Sequence, residues 1–113
     1  MANDPKFIRF LGSALADLRT FPAAARRMAG HELDQVQHGR HPDDWKPMPS
    51  VGPGAREIRI REAAGAFRVI YVAKLASTIY VLHCFQKKTR ATRKSDLDLA
   101  QSRYRDLLTE LRR

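Results

Sequence analysis

Between Pro5 and Arg19 the apolar residues Phe7, Ile8, Leu11, Leu15 and Leu18 recur at spacings of three and four, the period of one helical face. These spacings support a helix, although Lys6 to Phe10 also suits the start of a short strand. Phe21-Pro22 interrupts the pattern, because proline disfavours helical geometry in the residue before it and fits the first turn of a new helix. A second helix is expected to run to about His38, with Ala25, Met28, Leu33 and Val36 on one broad face and Gly39 as its stop. From Arg40 to Gly54 the composition shifts to Pro42, Pro47, Pro49 and Pro53 with Asp43-Asp44-Trp45-Lys46, which reads as an ordered loop pinned by Trp45.

Three strand-like segments follow, about Ala55 to Glu62, Ala66 to Ala73 and Thr78 to Gln86, and the breaks between them are short enough for hairpins. An antiparallel three-stranded meander is the simplest arrangement. In the first segment Ile58 and Ile60 alternate with Glu57, Arg59 and Arg61, the period-two pattern of a sheet with one wet face. The other two are apolar on both parities, as central strands are. A last amphipathic helix begins near Ser95, a suitable N-cap, and places Leu97, Ala100, Tyr104, Leu107, Leu108 and Leu111 on one side. The expected fold is α+β: two N-terminal helices packed on a small antiparallel sheet, with or without a short extra strand, and a C-terminal helix, all in a single domain over 1–113.

Composition adds a charge to this picture. The chain has 113 residues, enough for one core, and 43% of them are hydrophobic. Its 21 Lys+Arg against 12 Asp+Glu leave a formal net charge of +9, with a sequence pI near 10.4. Such a surface attracts polyanions. The longest apolar run, Thr78 to Phe85, carries His83 and is far shorter than the roughly 20 residues of a membrane helix, so no bilayer span is expected. Met1 to Lys6 has no secretory pattern, and the single cysteine, Cys84, cannot form an internal disulfide. Both features point to the cytosol.

Several chemistries are poorly served by these residues. The acids are scattered, only Asp43-Asp44 standing together, which does not supply a catalytic carboxylate dyad. His31, His38 and His41 lie near the end of the second helix, and His38-x-x-His41 before Asp43 imitates a metal site, but no Cys or Glu completes a recognisable spacing. No metal and no cofactor is expected. Cys84 sits in the most apolar strand as a packed small residue, and its neighbour His83 points to the opposite face of the sheet. Gly52-Pro53-Gly54 is a turn rather than a phosphate cradle, since proline removes a backbone donor.

The remaining signal is cationic. Arg56, Arg59 and Arg61 fall on the first strand, Arg68 on the second, and Lys87, Lys88, Arg90, Arg93 and Lys94 follow the third. In a meander the start of the second strand lies beside the end of the first, and the end of the third returns to the same edge. Arg59, Arg68, Lys87 and Lys88 therefore converge. Arg68, flanked by Phe67 and Val69, is the unusual member, because arginine inside an apolar strand ordinarily binds an anion or a buried acid.

At these residues the sequence resembles a known family. Phe21-Pro22 with Ala25-Arg26, Gly30 to Leu33, Glu57-Ile58-Arg59, Phe67-Arg68-Val69-Ile70-Tyr71 and His83-Cys84-Phe85-Gln86-Lys87-Lys88-Thr89 resemble the HigB-like, phage-related branch of the RelE/ParE toxin superfamily. The resemblance implies the toxin half of a type II toxin–antitoxin pair, with a cognate helix-turn-helix antitoxin and no membrane partner. It also implies a ribosome-dependent mRNA endonuclease that inhibits translation, with Arg59, Arg68, Lys87 and Lys88 at the matching positions. Some relatives place a tyrosine near the C-terminus beside the scissile site; Tyr104, between Arg103 and Arg105, does not match that motif and reads as a packing residue.

RNA carries its own nucleophile, so attack by a 2′-hydroxyl on the adjacent phosphate requires orientation, charge neutralisation and proton transfer, without an obligatory metal. In that scheme Arg68 offers a fork to the phosphate, and Lys87 or Lys88 stabilises the transition state or protonates the leaving 5′-oxygen. His83 is the candidate base. Arg56, Arg59, Arg61 and Arg90 are the candidate RNA-binding residues. Two alternatives share the fold: a gyrase-directed toxin of the ParE type, and a non-toxic partner of a DNA-binding antitoxin.

Overall fold

A computed structural model describes residues 4–73, 75 and 77–113. The first element is a strand, β1 (Phe7–Phe10), not the start of a helix; only Ala14–Arg19 coils into the short helix α1. The helical spacing of Phe7 and Ile8 to Leu11 is overridden by pairing: β1 lies parallel to a later strand, with Phe7 opposite Thr78 and Phe10 opposite Val81. Ile8 and Phe10 turn inward at a period of two, while Phe7 remains 77% exposed.

Helix α2 (Ala23–Gln37) follows Pro22 and ends before Gly39, whose φ of 79° is the left-handed stop expected there. The proline-rich stretch is not all loop, because Trp45–Pro47 forms β2 against β3 (Ala55–Glu62). Strands β3, β4 (Gly65–Val72) and β5 (Thr78–Lys87) form the expected meander. The complete sheet, however, has five strands in the order β1-β5-β4-β3-β2, so the three-stranded sheet is only its centre. Helix α3 (Lys94–Leu111) closes the chain, with Arg93 at its N-cap position and Ser95 already inside the first turn. None of the described helices is long and apolar enough to cross a membrane.

The sheet is covered on both faces. Leu18, Phe21, Ala25, Ala29, Leu33 and Val36 of the α1–α2 segment bury the face of Ile58, Ile60, Phe67, Val69, Tyr71 and Cys84. On the opposite face Ala100, Tyr104 and Leu107 of α3 pack with Ile70, Val72, Tyr80, Leu82 and Phe85. The wet face expected for β3 is therefore dry at one end, and Glu57 is only 1% exposed.

A β-bulge sets the site's geometry. Ile70 pairs with His83 but Tyr71 pairs with Val81, so Leu82 is the extra residue of β5. Its carbonyl accepts from Arg103 Nη1 at 2.8 Å, and Arg103 Nη2 reaches Ser13 Oγ at 2.9 Å, which ties α3 to the bulge and to the start of α1. The guanidinium crosses Gly12, whose φ is +53° and where an added Cβ would lie 2.7 Å from Arg103 Nε. Tyr104 fills the corresponding place above Gly52 and donates to the carbonyl of Pro53 at 2.5 Å, the packing role read for it from the sequence.

These contacts give opposite signs to two glycine substitutions. Gly12→Ala meets both the positive φ and Arg103 and is expected to lower stability by about 1–3 kcal/mol. Gly30→Ala, in mid-α2 with nothing within 4 Å of the new Cβ, should raise it by about 0.5–1 kcal/mol. Denaturant unfolding of the two variants beside the parent checks both signs.

Candidate functional site

Directly opposed residues of an antiparallel sheet share a face, so the strand register lays out the α3 side in rows. Glu57, Ile70 and His83 form one row across β3, β4 and β5; Arg59, Arg68 and Phe85 form the next; Arg61, Ala66 and Lys87 form the last. Helix α3 covers the Ile70 and His83 part of the first row. Its Asp96 accepts from His83 Nε2 at 2.7 Å, and the imidazole stacks on Phe85 with centroids 4.9 Å apart. Beyond that row the face is basic, with Arg61 exposed, Arg59 and Lys87 half-buried and Arg68 buried between them.

At its centre lies a buried ion pair. Arg68 Nε stands 3.4 Å from Glu57 Oε1, with the two side chains 4% and 1% exposed. Arg68 Nη1 also donates to the carbonyl of Phe67 at 3.1 Å. Lys46, opposite Glu57 on β2, brings its Nζ to 3.9 Å from the same carboxylate oxygen. Arg59 pairs with Asp44 at 3.3 Å and donates its amide to the Asp44 carbonyl at 2.8 Å. The arrangement leaves Glu57 Oε2, Arg68 Nε and Arg59 Nε buried without hydrogen-bond partners among the described residues.

Five cations, Lys46, Arg59, Arg61, Arg68 and Lys87, thus surround the carboxylates of Glu57 and Asp44, an excess that stabilises an incoming anion. Burial holds the Arg68 pKa below its ordinary value, as do Arg59 and Arg61, against the opposing pull of Glu57; arginine still remains charged. Lys87 is also lowered, by desolvation first and then by the positive charge of Arg68. That matters more, since lysine can release a proton.

Of the residues singled out in the sequence, Arg59, Arg61, Arg68 and Lys87 come together. His83 shares their face but is buried beneath α3. Arg68 does not present an open fork, because its guanidinium is enclosed and already faces Glu57 and Phe67. Lys88 lies exposed just past β5, and Arg90 is exposed in the segment before α3. Arg56 is on the other side of the sheet, over the Trp45 ring at 4.3 Å and 3.2 Å from His41 Nδ1. Its parity is that of Ile58, which excludes it from the rows. Lys46 and the buried state of Glu57 were missed: Lys46 came from the segment read as loop, and Glu57 resembled any acid on a wet strand face.

Cys84 resolves as a packing group, and the three histidines of the second helix end do not come together. Burial, with a smaller contribution from Asp17, pushes the Cys84 thiol up to about 12, and it lies on the sheet face opposite His83. His38 bonds the Asp34 carbonyl and His41 stacks on Trp45, so neither joins His31, which instead lies beside Glu32 and Asp43.

The model of a family described as "Phage derived protein Gp49-like" matches residues 16–105. The chain belongs to that family. The matched span runs from α1 through most of α3 and includes every residue of the three rows. No curated protein matches. Among solved structures, this Gp49-like protein is similar to an Escherichia coli toxin RelE carrying two arginine-to-alanine changes, in the free state. The identity is 14%, the TM-score is 0.64, and 91% of this chain and 98% of that one are covered. It is also similar to a chain of the toxin–antitoxin complex RelBE2 from Mycobacterium tuberculosis, at 20% identity and a TM-score of 0.52, over 74% of this chain and 99% of that one. At such identities the likeness is one of fold, and the fold of the Gp49-like protein is RelE-like.

Two outcomes follow from the buried groups. Glu57→Ala leaves the Arg68 charge uncompensated and should cost about 3–5 kcal/mol in denaturant unfolding. Cys84 should resist a disulfide reagent at about pH 8 in the native protein and react once it is unfolded. Rapid native labelling would contradict the packed thiol.

Proposed function

We propose that this Gp49-like protein is the toxin of a type II toxin–antitoxin pair and cleaves messenger RNA on the ribosome without a metal. The observation that carries the proposal is the open cationic face in which Lys87 and Arg59 flank the buried Arg68–Glu57 pair. The RelE-like fold and the likeness to a chain of a toxin–antitoxin complex support it. The partner would be a helix-turn-helix antitoxin that covers the basic face.

The residues divide the work by exposure. Arg59, Arg61 and Lys46 are reachable from solvent and hold the phosphates on either side of the scissile bond. Arg68 acts from below: it is fixed by Glu57 and Phe67 and lends positive potential to the floor. Lys87 touches the substrate. The 2′-hydroxyl attacks phosphorus, its proton passes to solvent, the bond to the 5′-oxygen breaks, and Lys87 delivers a proton to that oxygen. The products are a 2′,3′-cyclic phosphate and a free 5′-hydroxyl. Lowering of the Lys87 pKa by desolvation and by Arg68 makes this donation easier at working pH. His83, bonded to Asp96, holds α3 on the sheet.

Induction in cells followed by mapping of transcript 5′ ends tests the reading; new ends within translated frames are expected. Intact transcripts with loss of supercoiling would replace it with a gyrase-directed toxin.

The proton-donor role has its own signature. The active form is protonated Lys87, so the rate should fall as pH rises through a pKa below the ordinary lysine value. Lys87→Arg keeps the charge but should lose about 10²–10⁴-fold in rate, together with that alkaline limb. Arg68→Gln removes the neighbouring charge and should move the limb to higher pH. A limb unchanged in both variants contradicts the assignment.

A further inference from the structure

Beside the cationic rows, where the sheet meets α2, the surface opens into a cavity of about 420 Å³, within the size range of small-ligand sites. Arg27, Met28 and His31 of α2 form one wall, and Arg59, Ile60 and Arg61 of β3 form the other. Met28 is 40% exposed, an unbranched apolar side chain left in water at the cavity wall. Arg59 and Arg61 belong to both the cavity and the rows, so the cavity adjoins the basic face at the β3 edge.

The polar groups are arranged for a planar, donor-rich edge. Strand β2 ends its pairing at Trp45 opposite Ile58, and the Arg59 amide donates outward to Asp44 one step further on. At a period of two, the amide and carbonyl of Arg61 point the same way, past the last rung and toward the cavity. Glu32, buried at the base, accepts the Asp43 amide through Oε2 at 2.5 Å, and Asp43 and Asp44 lie exposed at the rim. Burial raises the Glu32 pKa, the mark of a carboxyl held away from water. The lining therefore offers acceptors at the base, a backbone donor and acceptor on one side, apolar contact from Met28, and arginines at the mouth.

We infer that this cavity receives a nucleobase of the RNA next to the scissile phosphate, and that it favours bases with an exocyclic amino group over uracil. The inference rests on the ribonuclease reading and extends it to sequence preference. A ring slides against Met28, its amino group donates to the carboxylates, and Arg27 and Arg61 meet the flanking phosphates. An added peptide strand fits less well: the free edge of β3 is only Ile60–Glu62 before the hairpin, shorter than the roughly 5–6 residues of an ordinary strand.

The test uses the whole protein, the four nucleoside 5′-monophosphates and Met28→Trp, which fills the cavity from an exposed position. In methyl spectra, GMP, AMP and CMP should each shift the Met28 signal with Kd values about tenfold below that of UMP, the worth of one hydrogen bond. On ribosomes programmed with messages varied at each position beside the cut, wild type should disfavour uracil at one of them. Met28→Trp, checked for native melting, should flatten that preference while still cleaving. Wild-type cleavage with no effect of Met28→Trp on the pattern, or a Met28 signal indifferent to all four nucleotides, overturns the cavity but leaves the ribonuclease reading standing. An unchanged pattern with lost antitoxin capture assigns the cavity to the protein partner and also overturns it. Absence of any cleavage by wild type defeats both readings.

Discussion

The Arg68–Glu57 pair is the constraint around which the rest of the site is organised. Neither group can be abandoned inside a sheet: an unpaired charge at that depth costs several kcal/mol, roughly 3–5 when one partner is removed. Together the two are not an efficient source of stability, since apolar residues of similar volume often do as well. Their retention is easier to understand electrostatically. A guanidinium fixed under the floor supplies positive potential without being displaced by substrate, and it depresses the affinity of Lys87 for its proton. The carboxylate that anchors it also gathers Lys46 from β2.

Both faces of the sheet serve this arrangement differently. The α1–α2 side is a continuous apolar layer, and Cys84 belongs to it as a packed residue. The α3 side is divided: Ile70, Val72, Leu82 and Phe85 lie in the core with the helix, whereas Arg59, Arg61 and Lys87 keep access to solvent. The bulge at Leu82 and its bond to Arg103 help fix where α3 sits, and the His83–Asp96 contact fixes its first turn. The boundary between the buried and open parts passes beside Arg68.

Period-two alternation made β3 legible, and the observed strand has the bounds read for it, Ala55–Glu62. The same register logic brought Arg59, Arg68 and Lys87 to one region, because hairpin geometry is local and leaves little freedom. It should also have separated Arg56, whose parity is that of Ile58. What the chain did not reveal depends on distant partners. β1 is a strand because β5 offers it an edge, and nothing within Phe7–Phe10 distinguishes that from the start of a helix. β2 has three residues in a proline-rich stretch, too few for a periodic signal, so Lys46 was invisible. Glu57 looks exposed until Arg68 and Lys46 are placed against it.

Cleavage at a ribosome-bound message is the central claim, and purified components test it most directly. The protein would be added to ribosomes holding a defined messenger RNA in the A site, and to the same RNA free in solution, with the ends of the fragments then analysed. Cuts on the ribosome that leave a 2′,3′-cyclic phosphate and a 5′-hydroxyl are expected, with loss of those cuts in Lys87→Met. An intact message on the ribosome, or equal cutting by Lys87→Met, would contradict the claim.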